Sequence, residues 1–200
     1  MLNVDLYVNY PRLAVLYSGG ADSTLLYYLV VTNLLKHGQH KTLDLLIVDR
    51  HNKPIDRAVN LYNTVKEQIG DNISTLKIIT VPESTPNNLQ VLQMIEQVQD
   101  NYDCILWGVN QYPDDVSIRP RTEFTVDFSK YADHPKLKLP FANSKKTDII
   151  DTFIKLELEH ILNNTHSCGN PGPVPCGECF NCRERTWAYK QLGLVPNLGV

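Results

Sequence analysis

Two groups of residues in this sequence have types and spacings that suit chemistry. The first is Ser18-Gly19-Gly20-Ala21-Asp22-Ser23, directly after the apolar run Leu13-Ala14-Val15-Leu16-Tyr17. Adjacent glycines permit a tight turn and leave no side chain to block a phosphate. Backbone N–H groups in such a loop point at one anion, helped by the positive end of the helix that follows. That geometry suits a pyrophosphate. The pattern is not a Walker loop, which needs Gly-x-x-x-x-Gly-Lys-Ser/Thr, nor a dinucleotide fingerprint, Gly-x-Gly-x-x-Gly. A plain Gly-Gly turn with an Asp-Ser helix cap is the bland alternative; the strand-loop-helix setting weighs against it.

The second group is Cys168, Cys176, Cys179 and Cys182, spaced Cys-x7-Cys-x2-Cys-x2-Cys. Four thiolates close a tetrahedral zinc site, and Cys-x2-Cys turns present two sulfurs on one side of a tight loop. Gly169, Gly172, Gly177, Pro171, Pro173 and Pro175 suit a chain wrapped around a metal with little core of its own. An iron–sulfur cluster is the alternative for the last three cysteines. With sulfur at all four positions a zinc ion here is structural rather than catalytic. Metal-like crowding argues against an exported disulfide framework and for a reducing cytoplasm.

Both groups need elements to hold them. Residues 13–17 read as a buried strand, and Leu25, Leu26, Leu29, Val30 and Leu34 recur at helical spacing from Ala21 to about Lys36. Residues 43–49 read as a second buried strand. Pro54 fits the first turn of a helix carrying Ala58, Leu61, Tyr62, Val65 and Ile69 on one face, and Gly70-Asp71-Asn72 ends it. A strand over 76–81, a loop over 82–87 and a helix marked by Leu89, Leu92, Ile95 and Val98 follow. Residues 104–109 make a fourth strand with Cys104 as an inert buried side chain. The stretch 110–140 is long, polar and without periodicity. Helical spacing returns from 145 to about 162.

Alternation at this pace predicts an α/β fold, a mainly parallel sheet with helices on both faces. Residues 1–162 form the nucleotide-binding unit and 163–200 a small four-cysteine tail with a terminal helix. Ligands in such sheets sit beyond the carboxyl ends of the strands. The Ser18 loop, Asp49, the 82–88 loop and the segment after Val109 therefore converge on one crevice.

The 200 residues suffice for one such domain, and a net charge of −3 gives no general attraction to nucleic acid or an anionic membrane. No apolar run approaches the roughly 20 residues of a membrane span, and the first twelve residues carry no signal-peptide pattern. The six histidines show no metal spacing; His51, His134 and His166 read as surface or loop residues.

Ser-Gly-Gly-x-Asp-Ser after an apolar strand resembles the PP-loop of the N-type ATP pyrophosphatases, a HUP/Rossmann-like class. Joined to the cysteine cluster, it resembles the 7-cyano-7-deazaguanine synthase (QueC) family over most of residues 13–190. Ser18, Gly19, Gly20, Asp22 and Ser23 match that family's nucleotide loop, Asp49 the acidic end of its second strand, and Gly108-Val109 a Gly-Val pair after the fourth. Arg121, Glu123 and Phe124 look like its Arg-x-Glu-Phe stretch, and Pro140 with Lys146 like its Pro-Leu…Lys segment. Ser167, the four cysteines and Arg185 fit its zinc tail.

The resemblance implies an ATP-dependent ligase that turns 7-carboxy-7-deazaguanine and ammonia into the nitrile through an adenylated carboxylate. Zn²⁺ would be structural and Mg²⁺ would accompany ATP. Ser18 to Ser23, with Ala21, Asp49 and Gly108, would bind nucleotide; Asp22 and Lys146 would be catalytic; Arg121, Glu123 and Phe124 would contact substrate. Nucleic acid is not required, and a homodimer is an expectation because many members are dimers; Trp187 and Tyr189 are candidate contacts, though residue by residue such rings more often pack the last helix on its own domain. Two departures stand out: Thr85-Pro86-Asn87-Asn88 where the family has a glycine-and-arginine loop, and Asp49-Arg50-His51-Asn52 where it has Asp-Tyr-Gly-Gln. They leave open a different carboxylate, protein or tRNA acceptor, or a nucleotide-binding module without activity.

Overall fold

Every residue of Leu13–Leu16 (β1) is buried, which its unbroken apolar run requires of a strand covered on both faces. The computed structural model describes residues 2, 4–39, 41–49, 55–86, 89–118, 131, 133–170, 172 and 174–199. Around β1 lie Leu43–Asp49 (β2), Ser74–Thr80 (β3), Cys104–Leu106 (β4) and Leu137–Lys138 (β5). Their order is β3-β2-β1-β4-β5, and each neighbouring pair is parallel. Val15 sits opposite Leu45 on one side and Leu106 on the other.

Among the described residues, six α-helices cover the sheet: Ala21–Lys36 (α1), Asp56–Gln68 (α2), Gln90–Val98 (α3), Lys146–Lys155 (α4), Glu159–Asn164 (α5) and Phe180–Gln191 (α6). The pleat divides the core. Leu13, Val15, Leu43, Leu45 and Leu106 pack against Leu25, Leu61, Ile149, Ile161 and Ala188, drawn from α1, α2, α4, α5 and α6. Ala14, Leu16, Leu46, Val48 and Ile105 turn the other way, onto Met94, Ile95 and Val98 of α3. Each such buried aliphatic side chain contributes about 1.5–3 kcal/mol, so both faces hold their helices firmly. No helix among the described residues is long and apolar enough to cross a membrane.

From β1 the chain moves outward through β2 to β3, then returns to the other side of β1 as β4. The carboxyl ends of β1 and β4 therefore flank a topological switch point, where open α/β sheets place ligands. A buried polar knot secures the other end. Asp71 Oδ1 accepts the N–H groups of Ile73 and Ser74 at 2.8 and 2.9 Å, and Tyr27 donates to Asp71 Oδ2 at 2.6 Å.

Four local expectations are corrected. The third strand starts at Ser74 and ends at Thr80, not over 76–81. β4 stops at Leu106; Trp107 N–H still reaches Lys138 O at 2.9 Å, but Gly108 and Val109 leave the sheet. The stretch 110–140 is not structureless, since it contains β5, whose two residues are too short for a periodic signal. The helix expected over 145–162 is two helices. Glu157, at φ 57°, ends α4: its N–H bonds to Ile154 O at 2.9 Å and that of Leu158 to Phe153 O at 2.8 Å. This is a Schellman turn with glutamate where glycine is usual. Pro54 lies outside the described residues.

Candidate functional site

The loop over 18–23 turns at Gly19, whose φ of 72° is left-handed. A Cβ there would stand 2.9 Å from both Cα and Cβ of Ala58, so glycine is what lets α2 touch the loop. Ser23 ties the turn: its hydroxyl accepts the Ser18 N–H at 3.1 Å and donates to Gly20 O at 3.2 Å. Thr24 N–H then bonds to Gly20 O at 3.0 Å and α1 begins. Ala21 is buried, with its N–H 3.5 Å from Ser167 Oγ. His166 N–H donates to Gly19 O at 3.0 Å, so the chain just before Cys168 is strapped to the loop.

Lys146, the first residue of α4, is 3% exposed and points into the same corner. Its Nζ donates to Asp22 Oδ1 at 2.5 Å and lies 3.5 Å from Glu184 Oε2. Glu184 is as buried as Lys146 and accepts Asn110 Nδ2 at 2.9 Å. Burial works against the Lys146 ammonium, but the charges of Asp22 and Glu184 outweigh it and leave its pKa raised. Burial pushes the Glu184 carboxyl up, and Asp22 adds to that against the pull of Lys146. A buried ammonium thus stands between two carboxylates beside the 18–23 loop.

A cavity of about 730 Å³ opens here. The 18–23 loop and Lys146 form one side; Leu46, Val48, Val91 and Met94 form an apolar side of a kind that suits a ring system. Gly108, Asn110 and Tyr112 form a third, and Cys168, Phe180 and Asn181 from the cysteine segment a fourth. Glycine at 108 matters, since a Cβ there would come within 3.1 Å of Asp22 O.

The structure thus brings Ser18, Gly19, Gly20, Asp22, Ser23, Gly108 and Lys146 to one cavity. Ala21 stands just behind it. Asp49 ends β2 opposite Thr80 and is not among the described residues lining the cavity. Arg121, Glu123 and Phe124, like Arg50, His51, Asn52, Asn87 and Asn88, lie outside the described residues. Glu184, Asn110, Arg57 and His166 also line the cavity and escaped the sequence reading. Glu184 alone left a trace: it falls four residues before buried Ala188 on α6, and a carboxylate on an apolar stripe needs a buried partner. His166, read as a loop residue, is a cavity wall. Tyr189 is buried in the core, so it packs the last helix on its own domain rather than offering a dimer contact.

The Sγ atoms of Cys168, Cys176, Cys179 and Cys182 all lie within 4.8 Å of one another. Cys168 and Cys179 are 3.9 Å apart, near the roughly 3.8 Å that tetrahedral Zn–S bonds impose. Backbone N–H groups point at the sulfurs: Gly169 at Cys179 and Asn170 at Cys168, both 3.4 Å, and Cys179 at Cys176, 3.3 Å. The N–H groups of Cys179 and Glu178 hold the Cys176 thiol down at about 6, with burial opposing them. The donor set fits a thiophilic metal. Cys104 is apart from this cluster, fully buried in β4, with burial pushing its thiol up to about 12.

The parallel sheet in this strand order, with a Ser-Gly-Gly loop at the switch point, defines the PP-loop ATP pyrophosphatase class of nucleotide-binding fold. Two solved structures share it: the U34-tRNA thiolase NcsA from Methanococcus maripaludis with its [4Fe-4S] cluster (18% identity, TM-score 0.56, 95% of this chain and 70% of that one) and NMN synthetase from Francisella tularensis (14%, 0.54, 94% and 80%). Within the class, residues 102–193 match the family model described as queuosine biosynthesis protein QueC. The chain is 25% identical over 229 residues to the 7-cyano-7-deazaguanine synthase of Pelobacter propionicus, covering 94% of this chain and 96% of the relative. For the Archaeoglobus fulgidus enzyme of that name the figures are 27% over 219 residues, 94% and 89%. The chain is thus similar to the QueC family through residues 102–193, and its likeness to the two named synthases runs over 94% of its length.

Proposed function

We propose that this protein is an ATP-dependent ligase that converts 7-carboxy-7-deazaguanine and ammonia to 7-cyano-7-deazaguanine. The observation that carries the reading is the meeting of the PP-loop with the Lys146–Asp22–Glu184 cluster in one cavity that also has an apolar side. A carboxylate is a poor electrophile because its leaving group would be oxide. Attack of its oxygen on the α-phosphate of ATP forms an acyl adenylate and releases pyrophosphate. Ammonia then adds to the carbonyl carbon, AMP leaves, and a proton is lost, giving the amide. A second ATP adenylates the amide oxygen and releases a second pyrophosphate, and loss of AMP and the two N–H protons forms the C≡N bond.

In this reading the loop N–H groups hold the departing pyrophosphate, and Lys146 turns from Asp22 toward charge growing on the phosphates. Mg²⁺ bound with ATP would share that charge, with Asp22 as its protein ligand. Asp49 would act from the β2 end of the crevice, and Arg121, Glu123 and Phe124 would contact the deazaguanine. The four cysteines would hold a structural Zn²⁺, with residues 163–200 as the tail on the 1–162 unit. Its thiols suit the cytoplasm, and a homodimer is part of the proposal.

The test is mass spectrometry of zinc-loaded protein with Mg-ATP, ammonium and 7-carboxy-7-deazaguanine. Amide or nitrile formed with AMP is the expected result. AMP without either product would move the acceptor to another carboxylate, protein or tRNA group, and ATP binding without AMP would refute the ligase reading.

A further inference from the structure

Among the described residues lining the cavity, the lysine and arginine side chains are Lys146 and Arg57. Lys146 is already engaged by two carboxylates. Arg57 stands elsewhere, in the first turn of α2 and next to Ala58, the residue that touches Gly19. Its Nη1 is 2.9 Å from His166 Nδ1. A guanidinium carries donors only, so Arg57 donates, His166 Nδ1 accepts, and the ring proton of a neutral imidazole sits on Nε2. This bond joins the first turn of α2 to the segment that enters the cysteine cluster. His166 is itself fixed to the loop, through its N–H to Gly19 O at 3.0 Å.

The pair therefore sits on the Gly19 side of the loop, with the Lys146 cluster on the Asp22 side. A planar guanidinium fork matches two phosphate oxygens at once, which an ammonium does not. We propose that Arg57, aimed by His166, recognises the β,γ-pyrophosphoryl part of the nucleoside triphosphate and holds it as it leaves. Arg57 is the contact residue and His166 a positioning residue. The inference rests on the ATP-dependent reading of the same cavity.

The experiment is calorimetric titration of the metal-loaded full chain with inorganic pyrophosphate, Mg-ATP and AMP, for wild type, Arg57→Ala, Arg57→Lys, His166→Ala and His166→Gln. Loss of charged hydrogen bonds should weaken pyrophosphate and ATP about 10–100-fold in Arg57→Ala, with AMP affinity unchanged. Arg57→Lys should recover only part of the loss, because it restores charge without the fork. His166→Ala should raise KM for ATP more than it lowers kcat, and His166→Gln, whose amide oxygen can accept from Arg57, should restore KM. Equal weakening of AMP would place Arg57 at the α-phosphate and overturn the assignment; so would unchanged pyrophosphate affinity in Arg57→Ala and Arg57→Lys. A wild type that binds pyrophosphate through Arg57 but forms no AMP would sink the ligase reading and leave this inference standing. A wild type that forms AMP with Arg57 irrelevant would do the reverse.

Discussion

Replacing Lys146 by methionine removes one ammonium and leaves Asp22 and Glu184 facing each other inside the crevice. The side chains of Lys146 and Glu184 are each 4% exposed and that of Asp22 is 25% exposed, so water screens this cluster poorly. At an effective dielectric constant near 20, separations of 2.5 and 3.5 Å correspond to gross attractions of roughly 7 and 5 kcal/mol. Desolvation of three ions cancels much of that, and deleting one partner of a buried pair costs about 3–5 kcal/mol. We expect that loss for Lys146→Met. Glu184→Gln keeps an acceptor for Asn110 and removes the second carboxylate, so it should relieve part of the damage. In the double variant the two changes should couple by about 1–3 kcal/mol. Urea unfolding of metal-loaded wild type, both single variants and the double variant, followed by far-UV circular dichroism, measures the cycle. A loss below about 1 kcal/mol in Lys146→Met, or strict additivity, would refute the buried-cluster reasoning. AMP formation should fall in Lys146→Met whatever the state of Glu184.

Three further outcomes are expected. Gly19→Ala forces a left-handed φ on alanine and drives its Cβ to 2.9 Å from Ala58; about 2–4 kcal/mol should be lost, with weaker ATP binding, and an unchanged melting curve would contradict this. Stripping the metal should leave the sheet's circular dichroism largely intact yet abolish most nucleotide affinity, because Ser167 and His166 reach Ala21 and Gly19 from the cysteine segment. Nucleotide titration of chelated protein is the check, and full affinity there would count against it. Burial raises the Asp71 carboxyl, but hydrogen bonds from Ser74, Tyr27 and the Ile73 and Ser74 N–H groups win and leave it below 3.8. Its stabilisation is therefore present above about pH 3.8 and lost as pH falls through the lower folded value. The stability gap between wild type and Asp71→Asn should shrink from pH 5 to about pH 2.5, and a constant gap in urea titrations would disprove the assignment.

The parts of this molecule legible in its sequence are those where one physical pattern suffices. Leu13–Leu16 is apolar throughout because both faces of a central strand are covered, and Ala21–Lys36 and Leu43–Asp49 have their expected limits. The glycine pair is legible because a tight strand-to-helix turn that α2 touches needs bare backbone at Gly19. Glu157 hid the break between α4 and α5, since a left-handed glutamate leaves no mark where a glycine would. β5 hid for want of length. Arg57 and His166 hid for another reason: on the sequence, one is a polar residue in a helix's first turn and the other a loop histidine. Their meeting depends on where α2 and the cysteine segment pack.

That packing ties the four-cysteine cluster to the 18–23 loop. His166 and Ser167 are held from both sides. Downstream, Cys168 enters the four-cysteine cluster at once. Upstream, Arg185, 1% exposed on α6, donates to Leu162 O, Thr165 Oγ1 and Asn197 O, each at 2.7 Å. It thereby ties the end of α5 and the C-terminal segment to α6. The same helix carries Cys182 into the cluster and Glu184 to Lys146. A metal bound to the four sulfurs would fix the start of α6 and, through it, one partner of the buried ammonium, while Cys168 fixes the strap across Gly19. On this argument the cysteines need not approach the reacting atoms. They would set the positions of His166, which bonds Arg57, and of Glu184, which pairs with Lys146.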